Sequence, residues 1–425
     1  MFIKKLENIF IILAAIFGLI FLFATPYNGV ADEETHMMRS CEVADGIFYN
    51  FKNSQPPKAE KCDSFIQKDL YLRRPESNFH NTSGYSPVLY TFSSIGLNIG
   101  KHWNNGIVMF YLARLLNLIV WITLTALAIK ITPVFKYPFF FTALLPMNIF
   151  EGMSLSADSL NNGFTFLFFA YIFKLIYEKT ELSKKSLSIL SLMSIFSAFL
   201  KGAIYPVFLF FFLPIKKHKA LFCSLCIIIT LTVMFLVSAN APVFTNPDPN
   251  CNVEYNRFLL IHNPFDFLYK FAVRLATGIP WYTASCIGIL GWLNINLSGI
   301  YIITVLVFLG QFIVFPEKKI TDIQRITAFI IFAGYTTLMH IYYYIIWNAP
   351  AFHKILGIQG RYFIPLLPLL FISFTRNKTG VSATFQKNYK IFIIIYTTII
   401  LIYSSFVLLK HYQYPFTEFI YKIML

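Results

Sequence analysis

Charge is what this chain of 425 residues has least of: Asp, Glu, Lys and Arg supply 13% of it, too little to cover a soluble surface of that size. Glycine is also scarce, with 19 residues against 48 phenylalanines, so the composition points to bulky helices. No GxxxxGKS or GxxxxGKT occurs, and no GxGxxG follows a strand, which argues against an ATP-driven pump or a nucleotide-sugar enzyme built on such loops. The chain has no internal repeat. Its six cysteines make no metal-binding framework: Cys223 and Cys226 form one CxxC inside an apolar run, without a second pair. Cys41 and Cys62 share one long loop, where a disulfide and two free thiols are equally compatible with the sequence.

What is present is apolar. Hydrophobic residues make up 57% and aromatics 18% of the chain, and the mean hydropathy is +0.62, the signature of a polytopic membrane protein. Runs at 107–129, 220–237, 300–314, 326–346 and 391–409 approach the roughly 20 residues needed to cross a bilayer. The first run, 9–24, follows Lys4 and Lys5, and no small-x-small cleavage site precedes Pro26, so an uncleaved anchor is expected. The net charge of +15 does not point to nucleic acid, because Lys and Arg gather in short gaps between apolar runs, as at Lys184 and Lys185, Lys216 to Lys219, and Arg376 to Lys390. Cationic short loops mark the cytoplasmic side.

This charge pattern predicts a cytoplasmic amino terminus, about eleven crossings and an external carboxyl terminus. The expected spans are 8–24, 107–130, 137–153, 159–176, 186–200, 203–214, 220–238, 298–315, 325–346, 361–374 and 391–409. The fold class is therefore all-α, a polytopic transmembrane helix bundle forming one integral membrane domain over 1–425. Residues 25–105 form a large first external loop with an acidic motif and interfacial helices, turning at 53–58, and 239–297 form a second external region. The stretch 85–100 is apolar but short and rich in Ser and Gly, so it is expected to lie in the interface or re-enter.

The few charges at membrane depth are the chemical inventory, since each costs about 2.5–3.5 kcal/mol to insert. Just beyond the first run comes Ala31-Asp32-Glu33-Glu34-Thr35-His36-Met37-Met38-Arg39, three carboxylates in a row. On a helix, Asp32, His36 and Arg39 share a face, with Glu33 beside them. Arg114 lies early in its helix, Glu151 and Asp158 flank an external turn, Lys201 separates two short apolar runs, and Arg361 opens another. All point to the side of Asp32. Cations and carboxylates gathered there suit a phosphate-bearing lipid headgroup.

The segment Asp32-Glu33-Glu34-Thr35-His36 resembles the P-D-E-x-x-H signature of a bacterial polytopic membrane family catalogued as a domain of unknown function and grouped with the GT-C superfamily of polyprenyl-phosphate-dependent glycosyltransferases. Similar too are Tyr111-Leu112-Ala113-Arg114-Leu115-Leu116-Asn117, Leu145-Pro146-Met147 with Ser154-Leu155-Ser156-Ala157-Asp158, and Gln359-Gly360-Arg361-Tyr362-Phe363-Ile364-Pro365. Lys201-Gly202 and Gly291-Trp292-Leu293 match in order, while Ala31 stands where the family has proline.

The resemblance implies a fold of GT-C type and an inverting membrane glycosyltransferase. It would move a sugar from a polyprenyl-phosphate donor to a glycan or glycolipid acceptor, such as O-antigen, at the external face of the bacterial inner membrane. Asp32 is then the general base, Glu33 the neighbour that shares or replaces the role, and His36 and Arg39 support acid–base chemistry or orientation. Arg114, Lys201 and Arg361 bind the donor phosphate, with Asp158, Gln359 and Tyr362 as further polar groups. No metal ligand set and no cofactor is assigned, and a divalent ion is compatible with such chemistry. A polysaccharide polymerase and a non-enzymatic lipid or sugar transporter are the competing readings. The polymerase would place repeated arginines in its external loops, which here are acidic. The transporter would carry charge across the bilayer, whereas here charge gathers at one face.

Overall fold

The computed structural model describes residues 5–51, 55, 58–70, 80–178, 181–239, 241–243, 245–246, 248–317, 319–378 and 380–412. The expected turn at 53–58 and the carboxyl terminus lie largely outside them. Helix α1 (Leu6–Ala24) leads into α2 (Glu33–Ala44), α3 (Glu60–Leu70) and α4 (Thr91–Gly100), followed by α5 (Gly106–Ile131). Next come α6 (Lys136–Ala143), α7 (Pro146–Met153), α8 (Asp158–Glu178), α9 (Lys184–Ser197) and α10 (Lys219–Ser238). The rest is α11 (Val253–His262), α12 (Pro264–Ile287), a two-stranded hairpin of β1 (Ile289–Leu290) and β2 (Ile295–Asn296), α13 (Tyr301–Val314), α14 (Asp322–Trp347), α15 (Leu367–Phe374) and α16 (Ala383–Tyr412). The fold is an all-α helical bundle of membrane type.

Six helices among the described residues are long and apolar enough to cross a membrane: α1, α5, α8, α10, α14 and α16. Each coincides with an expected span. Other expected spans are built differently. Residues 137–153 are two short helices, because Pro146 cannot continue a helix and instead starts α7 at its first turn. At 203–214 and 361–374 the chain forms 3-10 turns, Tyr205–Phe212 and Gly360–Leu366, the second running into α15. The stretch expected in the interface is α4, whose ten residues cover only about 15 Å.

The ends of the long helices are written locally. Asn105 caps α5 by accepting from the backbone N–H groups of Ile107 and Val108. Thr321 and Gln324 form a reciprocal capping box at the start of α14. Helix α5 is the central strut, packed along α1, α4 and α8. Its approach to α4 depends on Gly96, where a Cβ would come 2.6 Å from Ala113 Cα. Phenylalanine fills the core between α6, α8 and α15, with Phe139 edge-on to Phe166, Phe173 and Phe371. A second, smaller apolar cluster of Met37, Met38, Ile66, Leu97, Met109 and Phe110 fastens α2, α3 and α4 onto α5.

Candidate functional site

The acidic motif begins helix α2, with Asp32 at its N-cap in the left-handed region, φ 61°. That conformation is uncommon for any residue but glycine, although Asp and Asn adopt it most readily. Its consequence is that Asp32 and Glu33 diverge. Glu33 turns inward and is fully buried, where Arg114 of α5 grips it in two places, Nε to Oε1 at 2.8 Å and Nη2 to Oε2 at 2.6 Å. The remaining Arg114 donors go to the carbonyls of Leu22, Thr25 and Pro26. All five N–H groups of that guanidinium are thus consumed in tying the end of α1 to α2. None is left for a phosphate, and Glu33 has no free face for an acceptor.

Arg39 is likewise committed. It is 1% exposed and donates to Glu42, to Tyr85 O, and to Ile47 O and Phe48 O, so it braces the loop that follows α2. Glu42 also accepts from His80 Nε2 and Asn50 Nδ2. Burial raises the pKa of Glu42, but the His80 hydrogen bond and charge, together with Arg39, outweigh it and hold the carboxyl at about 2. A disulfide joins Cys41 of α2 to Cys62 of α3 across 5.3 Å between Cα atoms. This part of the site is scaffold, and the expected roles of Glu33, Arg39 and Arg114 in chemistry or phosphate binding give way to it.

The other candidates converge. Asp32 keeps a side chain 37% exposed, with one oxygen accepting from Asn81 Nδ2 at 3.0 Å and the other 3.7 Å from Arg361 Nη2. Arg361 is 6% exposed and donates to Glu151 Oε1 at 2.6 Å. Lys201 donates to Asp158 Oδ1 at 2.8 Å, with its ammonium over the rings of Tyr85 and Tyr362 at 5.1 and 5.5 Å. Four segments far apart in sequence therefore deliver three carboxylates and two cations to one place. His36 lies behind them, buried, with Nδ1 2.8 Å from the Tyr90 hydroxyl. Burial and the charge of Lys201 hold its pKa well below 6.5, so it is a neutral imidazole.

The cluster is not internally satisfied. Asp158 Oδ2, Gln359 Oε1 and Arg361 Nε are buried without a hydrogen-bond partner among the described residues. Buried polar atoms of this kind are what a bound polar group or water would complete. The backbone under Arg361 is fixed: Gly360 N–H donates to Ser285 Oγ at 2.7 Å, and a Cβ at Gly360 would sit 1.9 Å from Tyr282 O. Among the described residues, no group of three His, Cys, Asp or Glu side chains gathers to hold a metal ion.

Sequence reasoning brought Asp32, Asp158, Lys201, Gln359, Arg361 and Tyr362 to this place. It missed the contributions of Asn81 and Tyr85, which sit in the uncharged run Asn81-Thr82-Ser83-Gly84-Tyr85. Polar residues just ahead of a short apolar stretch were the available signal. The hairpin residue Trp292 lies outside the cluster and donates to Asn28 O at 2.7 Å, locking the chain before α2.

Residues 50–370 match the model of a family described as predicted membrane protein (DUF2142). The match takes in Glu151, Asp158, Lys201, Gln359, Arg361 and Tyr362, while Asp32 to Arg39 precede it. No curated protein and no solved structure matches the chain.

Proposed function

This chain belongs to the DUF2142 family of predicted membrane proteins, and from the geometry of its charged cluster we propose that it transfers a sugar from a polyprenyl-phosphate donor to a glycan or glycolipid acceptor at the external face of the bacterial inner membrane. The observation that carries this reading is the contrast among three buried arginines. Arg39 and Arg114 spend their donors on fixed protein acceptors, whereas Arg361 keeps Nε unpartnered and Nη2 only loosely engaged beside an exposed carboxylate. An unsatisfied guanidinium edge suits the two oxygens of a phosphate.

In the proposed reaction, Asp32 takes the proton of the acceptor hydroxyl as that oxygen attacks the anomeric carbon. The bond from that carbon to the phosphate oxygen breaks with inversion, and the electron pair leaves on the polyprenyl phosphate. Arg361 and Lys201 face the developing charge, and Glu151 and Asp158 hold the two cations in place. The strained backbone of Asp32 supports the role, because it turns one carboxylate outward while Glu33 stays locked. The external placement is supported by the Cys41–Cys62 disulfide, which belongs to an oxidising compartment.

Asp32→Asn tests the assignment. It keeps the hydrogen-bonding shape and removes the base, so sugar transfer in right-side-out membrane vesicles supplied with donor and acceptor should fall by about 10² to 10⁴ while insertion is unchanged. Transfer at the wild-type rate would remove Asp32 from the chemistry.

A further inference from the structure

From Lys201 a run of tyrosines leads away from the charged cluster. The Lys201 ammonium lies over Tyr85 and Tyr362, and Tyr362 stacks on Tyr343 at 6.1 Å between centroids and 22° between planes. Tyr343 meets Tyr342 edge-on at 5.8 Å, and Tyr342 is 52% exposed. Linked through Lys201 and through successive ring contacts, the four rings form one continuous run. Tyr335, about two turns before Tyr342 on α14, donates to Lys201 O at 3.2 Å.

The composition of this patch differs from the exposed apolar surface around it. On α14 the other strongly exposed large residues are Ile323, Ile326, Phe329, Ile330 and Leu338, side chains with no polar atom, as lipid-facing positions require. Beside the charged cluster, the half-exposed and exposed tyrosine rings of α14, Tyr335, Tyr342 and Tyr343, carry hydroxyls instead. A ring with an apolar face and a polar rim is complementary to a pyranose, which presents C–H groups on its faces and hydroxyls around its edge. Lipid tails and bare phosphate offer neither in combination.

We propose that Tyr85, Tyr342, Tyr343 and Tyr362 form a carbohydrate subsite, and that it takes a sugar ring of the acceptor. This rests on the glycosyl-transfer reading above and narrows its acceptor to one that presents a glycan. The donor sugar has to stay beside the phosphate ligands Arg361 and Lys201, whereas Tyr342 lies at the far, exposed end of the run. A free oligosaccharide without polyprenyl phosphate should therefore bind.

The test uses the purified full chain in a detergent without a sugar headgroup, on an array of neutral and acidic bacterial oligosaccharides, with Kd then measured for the retained probe. Tyr342→Ala and Tyr362→Ala should each weaken binding by about tenfold or more, while Tyr342→Phe, which keeps the ring face, should stay within about threefold. Polyprenyl phosphate that co-purifies with the wild type should be retained by Tyr342→Ala. Absence of binding to every oligosaccharide, or unchanged binding in Tyr342→Ala, overturns the subsite and returns Tyr342 to an aromatic belt at the membrane surface. Oligosaccharide binding without any retained polyprenyl phosphate would instead overturn the glycosyl-transfer reading on which the acceptor assignment rests.

Discussion

Arg114 separates scaffold from chemistry most sharply. Truncation in Arg114→Ala leaves the Glu33 carboxylate, which is fully buried, without its cation, and leaves the Leu22, Thr25 and Pro26 carbonyls without a donor. Breaking one side of a buried pair costs about 3–5 kcal/mol. That is a large share of the roughly 5–15 kcal/mol by which folded proteins are stable. Arg114→Lys brings three donors where five are used, so it should fall between wild type and alanine. Arg114→Met combined with Glu33→Gln removes both charges and should lose less than the sum of the two single changes. The assay is unfolding in a titration with SDS, followed by tryptophan fluorescence, with midpoints expected to fall in the order wild type, Arg114→Lys, Arg114→Ala. A wild-type midpoint for Arg114→Ala together with loss of bound donor lipid would refute this reasoning and make Arg114 a phosphate ligand.

Two further outcomes follow from the loop that carries α2. Neutral, buried His36 refuses a proton that the unfolded chain accepts below 6.5, so stability should decline as pH drops below that value; Glu42, ionised in the fold down to about 2 but only to 4.5 when unfolded, adds a second loss between those limits. Apparent melting temperatures measured in detergent across this range check the sign, and His36→Gln should flatten the first step. Reporter fusions after Asn53 should read external and those after Lys185 and Lys319 cytoplasmic, and maleimide should label Cys41 and Cys62 only after reduction; a cytoplasmic reading at Asn53 would end the proposed mechanism.

The uninterrupted apolar runs were legible in the sequence, and α1, α5, α8, α10, α14 and α16 stand where hydropathy puts them. The broken elements were less so, since Pro146, Pro206 and Pro365 turn runs of suitable length into short helices or 3-10 turns. In the site, rarity of charge at membrane depth was enough to single out Asp158, Lys201 and Arg361. What a sequence does not display is the partner of each charge. Glu33 meets Arg114 from 81 residues away, and Glu151 meets Arg361 from 210. The difference between a saturated guanidinium and one with a free edge exists only once those contacts are made. Glu33 and Asp32 are adjacent and chemically alike, and the left-handed turn at Asp32 is what separates their roles.

The central claim is that Arg361 and Lys201 receive the phosphate of a polyprenyl donor. Native mass spectrometry of the full chain, extracted gently from membranes, tests it most directly. A bound polyprenyl-phosphate species is expected in the wild type, reduced about tenfold or more in Arg361→Lys, whose flexible ammonium cannot reproduce the fork, and unchanged in Arg376→Lys, in the loop beyond α15. No polyprenyl-phosphate species in the wild type, or equal retention in both variants, would contradict the account.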